Sequence, residues 1–274
     1  ASNIEFRGEL DGNYHIISGL RGPLFASTNG AVIKNVMLKD VQISQSGSVG
    51  AITGVANGYT RIYNCGILPS SNKFESETSE ISSTDGYCGG LVGALNDDSR
   101  VVNCFSYAKI TGGTTVAGIV GYNQTASTAA ESGGKYANLK TVVVNCMFYG
   151  DITGGTSVYP VYGGKKVLNT GENGINNYDF YRAEASITPS DYNCSWPASE
   201  ENLTRFEYYR SLLNANRELC GWWVKSNVAP STMSTIEVQA IKKDASLMAK
   251  WVLDPAIAPY PILKPAGKYY SVIN

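Results

Sequence analysis

The chain has 274 residues, of which 16% are charged, with 29 Gly, 18 Tyr and a formal net charge of −1. Such a balance describes a globular, β-rich chain. It provides no basic stripe for nucleic acid and no apolar run long enough to span a membrane. Neither a signal peptide nor a lipid-anchor Cys opens the sequence, which starts inside its first motif; the expectation is a trimmed fragment whose export signal lies upstream.

Read in chain order, the first two thirds carry four copies of one pattern. In each, an apolar strand ends in Asn and runs on to a small-residue glycine signature. The copies are Ile33-Lys34-Asn35-Val36 with Gly54, Ile62-Tyr63-Asn64-Cys65 with Gly93, Val101-Val102-Asn103-Cys104 with Gly121, and Val143-Val144-Asn145-Cys146 with Gly163. Asn103 to Gly121 and Asn145 to Gly163 both span 18 residues, while Gly54 to Asn64 and Gly93 to Asn103 both span 10. A unit of about 28 residues lies in the range of solenoid repeats. Two excursions interrupt it, residues 69 to 86 and 122 to 140, both rich in small polar residues.

Runs such as Val143-Val144 and Ile119-Val120 are too short for helices and are bounded by Gly, Asn and Thr, so each reads as a short strand. Thr111-Gly112-Gly113-Thr114 and Thr153-Gly154-Gly155-Thr156 supply positive-φ turns. The pattern predicts a mainly β chain, a parallel β-helix over residues 1–164, whose Asn side chains stack as a ladder. Beside that ladder Val36, Cys65, Cys104 and Cys146 would form an inward column of small apolar groups. Outside the column, Cys88, Cys194 and Cys220 leave room for one disulfide.

The opening Phe6-Arg7-Gly8-Glu9-Leu10-Asp11-Gly12-Asn13-Tyr14-His15-Ile16-Ile17-Ser18-Gly19-Leu20, with Gly90-Leu91-Val92-Gly93 and Gly118-Ile119-Val120-Gly121, resembles bacterial surface proteins with GLUG repeats. That resemblance covers roughly residues 4 to 164. It implies a right-handed parallel β-helix in an exported protein, typically of gut Bacteroidetes or Gram-positive cell surfaces. The fourth unit departs from it, with Pro160-Val161-Tyr162-Gly163 in place of the signature.

Beyond residue 165 the repeat stops. Ser199-Glu200-Glu201-Asn202 predicts a helix start, continued by Leu203, Phe206, Tyr209, Leu212 and Leu213. Trp222-Trp223-Val224 and Ile236 to Ile241 read as strands, and Trp251 with Tyr260-Pro261 resembles the close of GLUG-containing proteins. Residues 165–274 therefore read as a degenerate coil and a small α+β C-terminal cap over the last open coil.

Chemistry is sparse on this frame. The single histidine, His15, precludes the paired-His H-E-x-x-H zinc site of the immunoglobulin-cleaving peptidases in which such repeats also occur, and no two Cys stand at C-x-x-C spacing. No metal site, cofactor or catalytic residue is therefore assigned. Asp85, Asp97, Asp98 and Arg100 are the nearest set to the acids and base of a β-helix polysaccharide lyase or glycosidase, against a solvated turn between coils. The clustered Tyr159, Tyr162, Tyr178 and Tyr181 offer flat faces for a ligand, although Tyr also serves strand faces. Together these features predict an extracellular, adhesin-like module without catalysis, whose partner is a cell-surface glycan or protein. A carbohydrate-active enzyme and a plain spacer are the alternatives.

Overall fold

A computed structural model describes residues 4–71, 77–97, 99–124, 142–164, 179–182, 187–188, 195–198, 210–215, 248–264 and 271–272. The protein is mainly β, and its strands form five parallel sheets plus one antiparallel pair, Lys250–Val252 with Ile262–Lys264. Three successive repeats each place one strand in every one of the five parallel sheets. The third repeat runs Thr53–Asn57, Arg61–Tyr63, Gly66–Ile67, Glu80–Ser83 and Tyr87–Gly89. The fourth visits the same sheets in the same order with Val92–Leu95, Arg100–Val102, Phe105–Ser106, Lys109–Gly112 and Thr115–Ala117.

In-register parallel pairing explains why the sequence repeats. Ile43, Ile81, Ile110 and Ile152 are consecutive register partners in the four-stranded sheet, and Leu10, Ile33, Ile62, Val101 and Val143 are partners in the five-stranded one. Because neighbouring strands lie about 4.8 Å apart, each aliphatic side chain rests on its homologue, and burying each contributes roughly 1.5–3 kcal/mol. Ile33, Ile62, Val101 and Val143 are all fully buried, so these columns form the interior shared by the sheets.

The Gly signatures mark a corner where the three-stranded and six-stranded sheets come very close. A Cβ on Gly93 would lie 2.4 Å from Val49 N and 2.5 Å from Gly54 O. On Gly121 it would meet Cys88 N at 2.6 Å, and on Gly163 it would meet Gly121 O at 2.3 Å. Only glycine fits against backbone at such distances.

The first repeat is shorter than the others. After His15–Ser18 the chain misses two sheets and crosses directly to Phe25–Asn29, with Gln42 N donating to Leu20 O and Leu24 N to Ala51 O. Leu20 and Leu24 pack against the interior along this shortcut.

The first excursion is narrower than the sequence suggested: Glu80–Ser83 and Tyr87–Gly89 are strands in register, so the departure falls between residues 67 and 80, while residues 125–141 of the second lie outside the described residues. The first is held at its base by Glu77, whose buried carboxylate accepts from Ser70 N at 2.9 Å, Ser70 Oγ at 3.0 Å and Ser79 N at 2.7 Å.

Of the C-terminal third, Asp179–Arg182 and Ser195–Ala198 extend the eight-stranded sheet at one edge, while Ser271–Val272 pairs with His15–Ser18 at the opposite edge. Residues 210–215 are helical, the end of the helix predicted from Ser199. Its earlier part and the strands predicted at 222–224 and 236–241 lie outside the described residues.

Candidate functional site

The most organised polar feature is a ladder of side-chain amides on the outer corner between the five-stranded and eight-stranded sheets. Asn35, Asn64, Asn103 and Asn145 each end a short strand with φ between 55° and 60°, a left-handed conformation that Asn tolerates better than most residues. Their amides bond in series. Asn145 Nδ2 donates to Asn103 Oδ1 at 2.7 Å, Asn103 Nδ2 to Asn64 Oδ1 at 2.8 Å, and Asn64 Nδ2 to Asn35 Oδ1 at 3.0 Å. Asn35 Nδ2 then donates to Asp11 Oδ1 at 2.9 Å, so the series ends on a carboxylate. Burial raises the Asp11 carboxyl, but the bonds from Asn35 and from Asn13 N, with the Lys34 charge, leave it below the usual carboxylate value.

A second shell of chain lies against this ladder. Asn103 Nδ2 donates to Ala249 O at 3.1 Å, Ala249 N donates to Asn64 Oδ1 at 3.0 Å, and Asn145 Nδ2 donates to Leu213 O at 3.1 Å. Asn214 grips the backbone of Trp251 from both sides, donating to its carbonyl and accepting from its N–H, each at 2.9 Å. Alongside, an aromatic cluster of Phe105, Tyr107, Tyr149, Trp251 and Tyr260 forms a core separate from the interior. Tyr107 OH donates to Tyr260 O and accepts from Tyr260 N, and Tyr149 OH donates to Pro261 O at 2.6 Å. Burial pushes both phenols well above their ordinary value. These bonds hold main-chain groups of the C-terminal third, and the Trp251 and Tyr260 rings pack beside them.

In the interior shared by the sheets, Cys65, Cys104 and Cys146 are fully buried free thiols, each with its Sγ 3.3–3.4 Å from the carbonyl two residues earlier. Burial drives the Cys104 thiol well up, reinforced by its two thiol neighbours. In the next repeat the column position is taken by Asp179, one residue before the Met147–Phe180 register, and its Oδ1 accepts from Cys146 N at 2.8 Å. Cys88 is also buried and free, whereas Cys194 and Cys220 lie outside the described residues.

The four tyrosines singled out from the sequence do not form one shelf. Tyr162 is fully buried and Tyr181 is buried in the same interior, while Tyr159 is half-buried on Ser157–Tyr159. Tyr178 lies outside the described residues. The acids have structural duties: Asp85 Oδ1 accepts from Gly47 N at 2.6 Å, and Asp97 sits at φ 49° in a turn. Arg100 is buried on Arg100–Val102, and Asp98 lies outside the described residues. His15 opens a strand immediately after the turn at Asn13 and Tyr14.

Sequence reasoning passed over Tyr107, Tyr149 and Asn214. For the tyrosines a signal existed, since both stand four residues after a ladder Asn, where the preceding repeat has Leu68 in the same second core. Asn214 left none.

With this geometry in place, residues 3–67 match the family model described as the M26 IgA1-specific metallo-endopeptidase N-terminal region. More particularly, the chain is 42% identical over 57 residues to the immunoglobulin A1 protease of Streptococcus sanguinis, a stretch that is 21% of this chain and 3% of that relative. No solved structure matches.

These matches correct the sequence reading in two respects. The resemblance to GLUG-repeat surface proteins does not stand, because the family matched by the opening segment is the protease one. The glycines that suggested it are demanded by the close corner at Gly93, Gly121 and Gly163, so they report geometry rather than lineage. The adhesin-like, glycan-binding reading falls with that resemblance, since the relative matched is a protease. The family's metal does not fit this chain: His15 is the one histidine, and among the described residues no cluster of three or more His, Cys, Asp or Glu is arranged to hold an ion.

Proposed function

We propose that this chain is a right-handed parallel β-helix serving as a non-peptidase module of an exported protein related to the immunoglobulin A1 proteases. In this reading it engages the immunoglobulin while a peptidase region elsewhere in the protein cuts it. Five parallel sheets that each take one strand, in constant order, from three successive repeats support the β-helix, and the handedness follows the rule for parallel crossovers. The observation that carries the function is the place of the family match. Residues 3–67 hold the strands from Glu5–Phe6 to Gly66–Ile67, including Asp11, Asn35 and Asn64 of the ladder. A setting outside the cell, where immunoglobulin A1 is met, is consistent with this reading.

The test uses the purified chain. Incubated with immunoglobulin A1 and zinc, it leaves the heavy chain intact on a denaturing gel, while an immunoglobulin A1 surface retains it above a blank surface. Cleavage by the chain alone, or no retention, overturns the reading.

A further inference from the structure

A stack of coils in which each touches only its neighbours unfolds from its ends, because stability is a sum of local and nearest-neighbour contributions. This chain departs from that arrangement. Its C-terminal third bonds to successive coils in turn: Leu213 to Asn145, Trp251 to Asn103, Ala249 to Asn64 and Asn103, Tyr260 to Tyr107, and Pro261 to Tyr149. Beyond these, Ser271 and Val272 take the register of His15 and Ile16, so the end of the chain supplies the edge strand beside the first repeat. At the other end of the same sheet Asp179–Arg182 and Ser195–Ala198 follow Met147–Phe148.

From this we infer that the C-terminal third is a longitudinal clasp, which converts a one-dimensional stack into one cooperative unit and closes the N-terminal edge of its largest sheet. Three features carry it. The sequence separations are long, 68 to 185 residues for the ladder and tyrosine contacts, so none is a local consequence of the repeat. All of these contacts but the Trp251 indole bond go to backbone atoms of the C-terminal third, which fixes where the clasp lies. The added strand protects the edge of His15–Ser18, which would otherwise present unpaired backbone groups.

Hydrogen exchange of the full chain tests the inference. In Trp251→Ala, exchange at residues 15–18 and 142–148 rises at least ten-fold together with that at 248–264, and urea unfolding of the parent chain is a single transition. Val272→Pro, which removes the strand's N–H without touching the aromatic core, raises exchange at 15–18 by a similar factor. Exchange that rises only within 248–264 in the first variant, or leaves 15–18 unchanged in the second, overturns it. Should Trp251→Ala not fold, Trp251→Phe replaces it with the same readouts.

Discussion

The indole Nε1 of Trp251 donates to Oδ1 of Asn103 at 2.7 Å across 148 residues of sequence, and the same oxygen accepts from Asn145 Nδ2. Both residues are buried, so one polar contact joins the clasp to the middle of the amide ladder. Trp251→Phe keeps a ring in the aromatic core but deletes this donor. Since Asn103 Oδ1 retains its bond from Asn145, the expected loss is moderate, about 2 kcal/mol in urea unfolding. Trp251→Ala also empties the ring's site and costs about 3–5 kcal/mol.

Asn103 performs two separable tasks, and two substitutions divide them. Asn103→Gly keeps the positive φ but removes the partner of the Trp251 indole N–H, of one Asn145 amide hydrogen and of Ala249 O, while Asn64 Oδ1 keeps its bond from Ala249 N, an expected cost of about 3 kcal/mol. Asn103→Ala adds left-handed strain of roughly 1–2 kcal/mol. Equilibrium unfolding of both variants checks the difference between them. Asn35→Gly, at the exposed end of the ladder, costs less than Asn103→Gly.

Gly93→Ala probes the close corner. The new methyl would lie 2.4 Å from Val49 N and 2.5 Å from Gly54 O, both backbone atoms that cannot swing aside. The expected loss is about 3 kcal/mol, read as a fall in melting temperature. Gly22 has nothing within 4 Å of a Cβ, so Gly22→Ala changes stability by no more than about 0.5 kcal/mol.

How far the sequence revealed this molecule depends on whether a residue acts within a repeat or across it. The Asn positions and the aliphatic columns recur at fixed spacing because in-register parallel pairing demands the same residue in each repeat, so periodicity exposes them. The clasp follows no period. Asn214 meets Trp251 through the backbone and Tyr149 meets Pro261 O, pairings set by where a non-repeating segment happens to cross the flank. Composition misleads for a related reason: Tyr162 looks like an exposed ring in a Tyr-rich coil, yet it fills an inward position beside Val120, its register partner. Lineage was least legible, since a glycine signature imposed by sterics can arise wherever two sheets meet this closely.

Acid should weaken the foot of the ladder. The Asp11 carboxyl lies below its reference value of 3.8, so the folded state favours its charged form. A lowered value means the contribution is complete above about pH 4 and fades as pH falls through 3.8 and below. Asp11→Asn keeps an acceptor for Asn35 but removes the charge. Melting curves of parent and variant therefore differ at pH 5 and converge towards pH 2.5; a constant gap across that range would count against this role.

Alkali tests the interior from the other side. Burial pushes the Cys88 thiol from 9.0 up to about 12, despite backbone bonds at Thr111 and Ser83 that pull it down, because a thiolate there would be cut off from water. A raised value means the folded state holds its proton longer than the unfolded chain does. The associated stability is complete below pH 9 and disappears as pH rises from 9 to about 12, by at most about 4 kcal/mol. The buried phenols of Tyr107 and Tyr149 steepen the same decline. Cys88→Val, which matches its register partner Val116, should shallow the alkaline slope while leaving the melting temperature at pH 7 within a few degrees of the parent. At pH 8 a thiol reagent should leave Cys88 unmodified in the folded chain and modify it once urea has unfolded the protein, because the thiol is both protonated and enclosed.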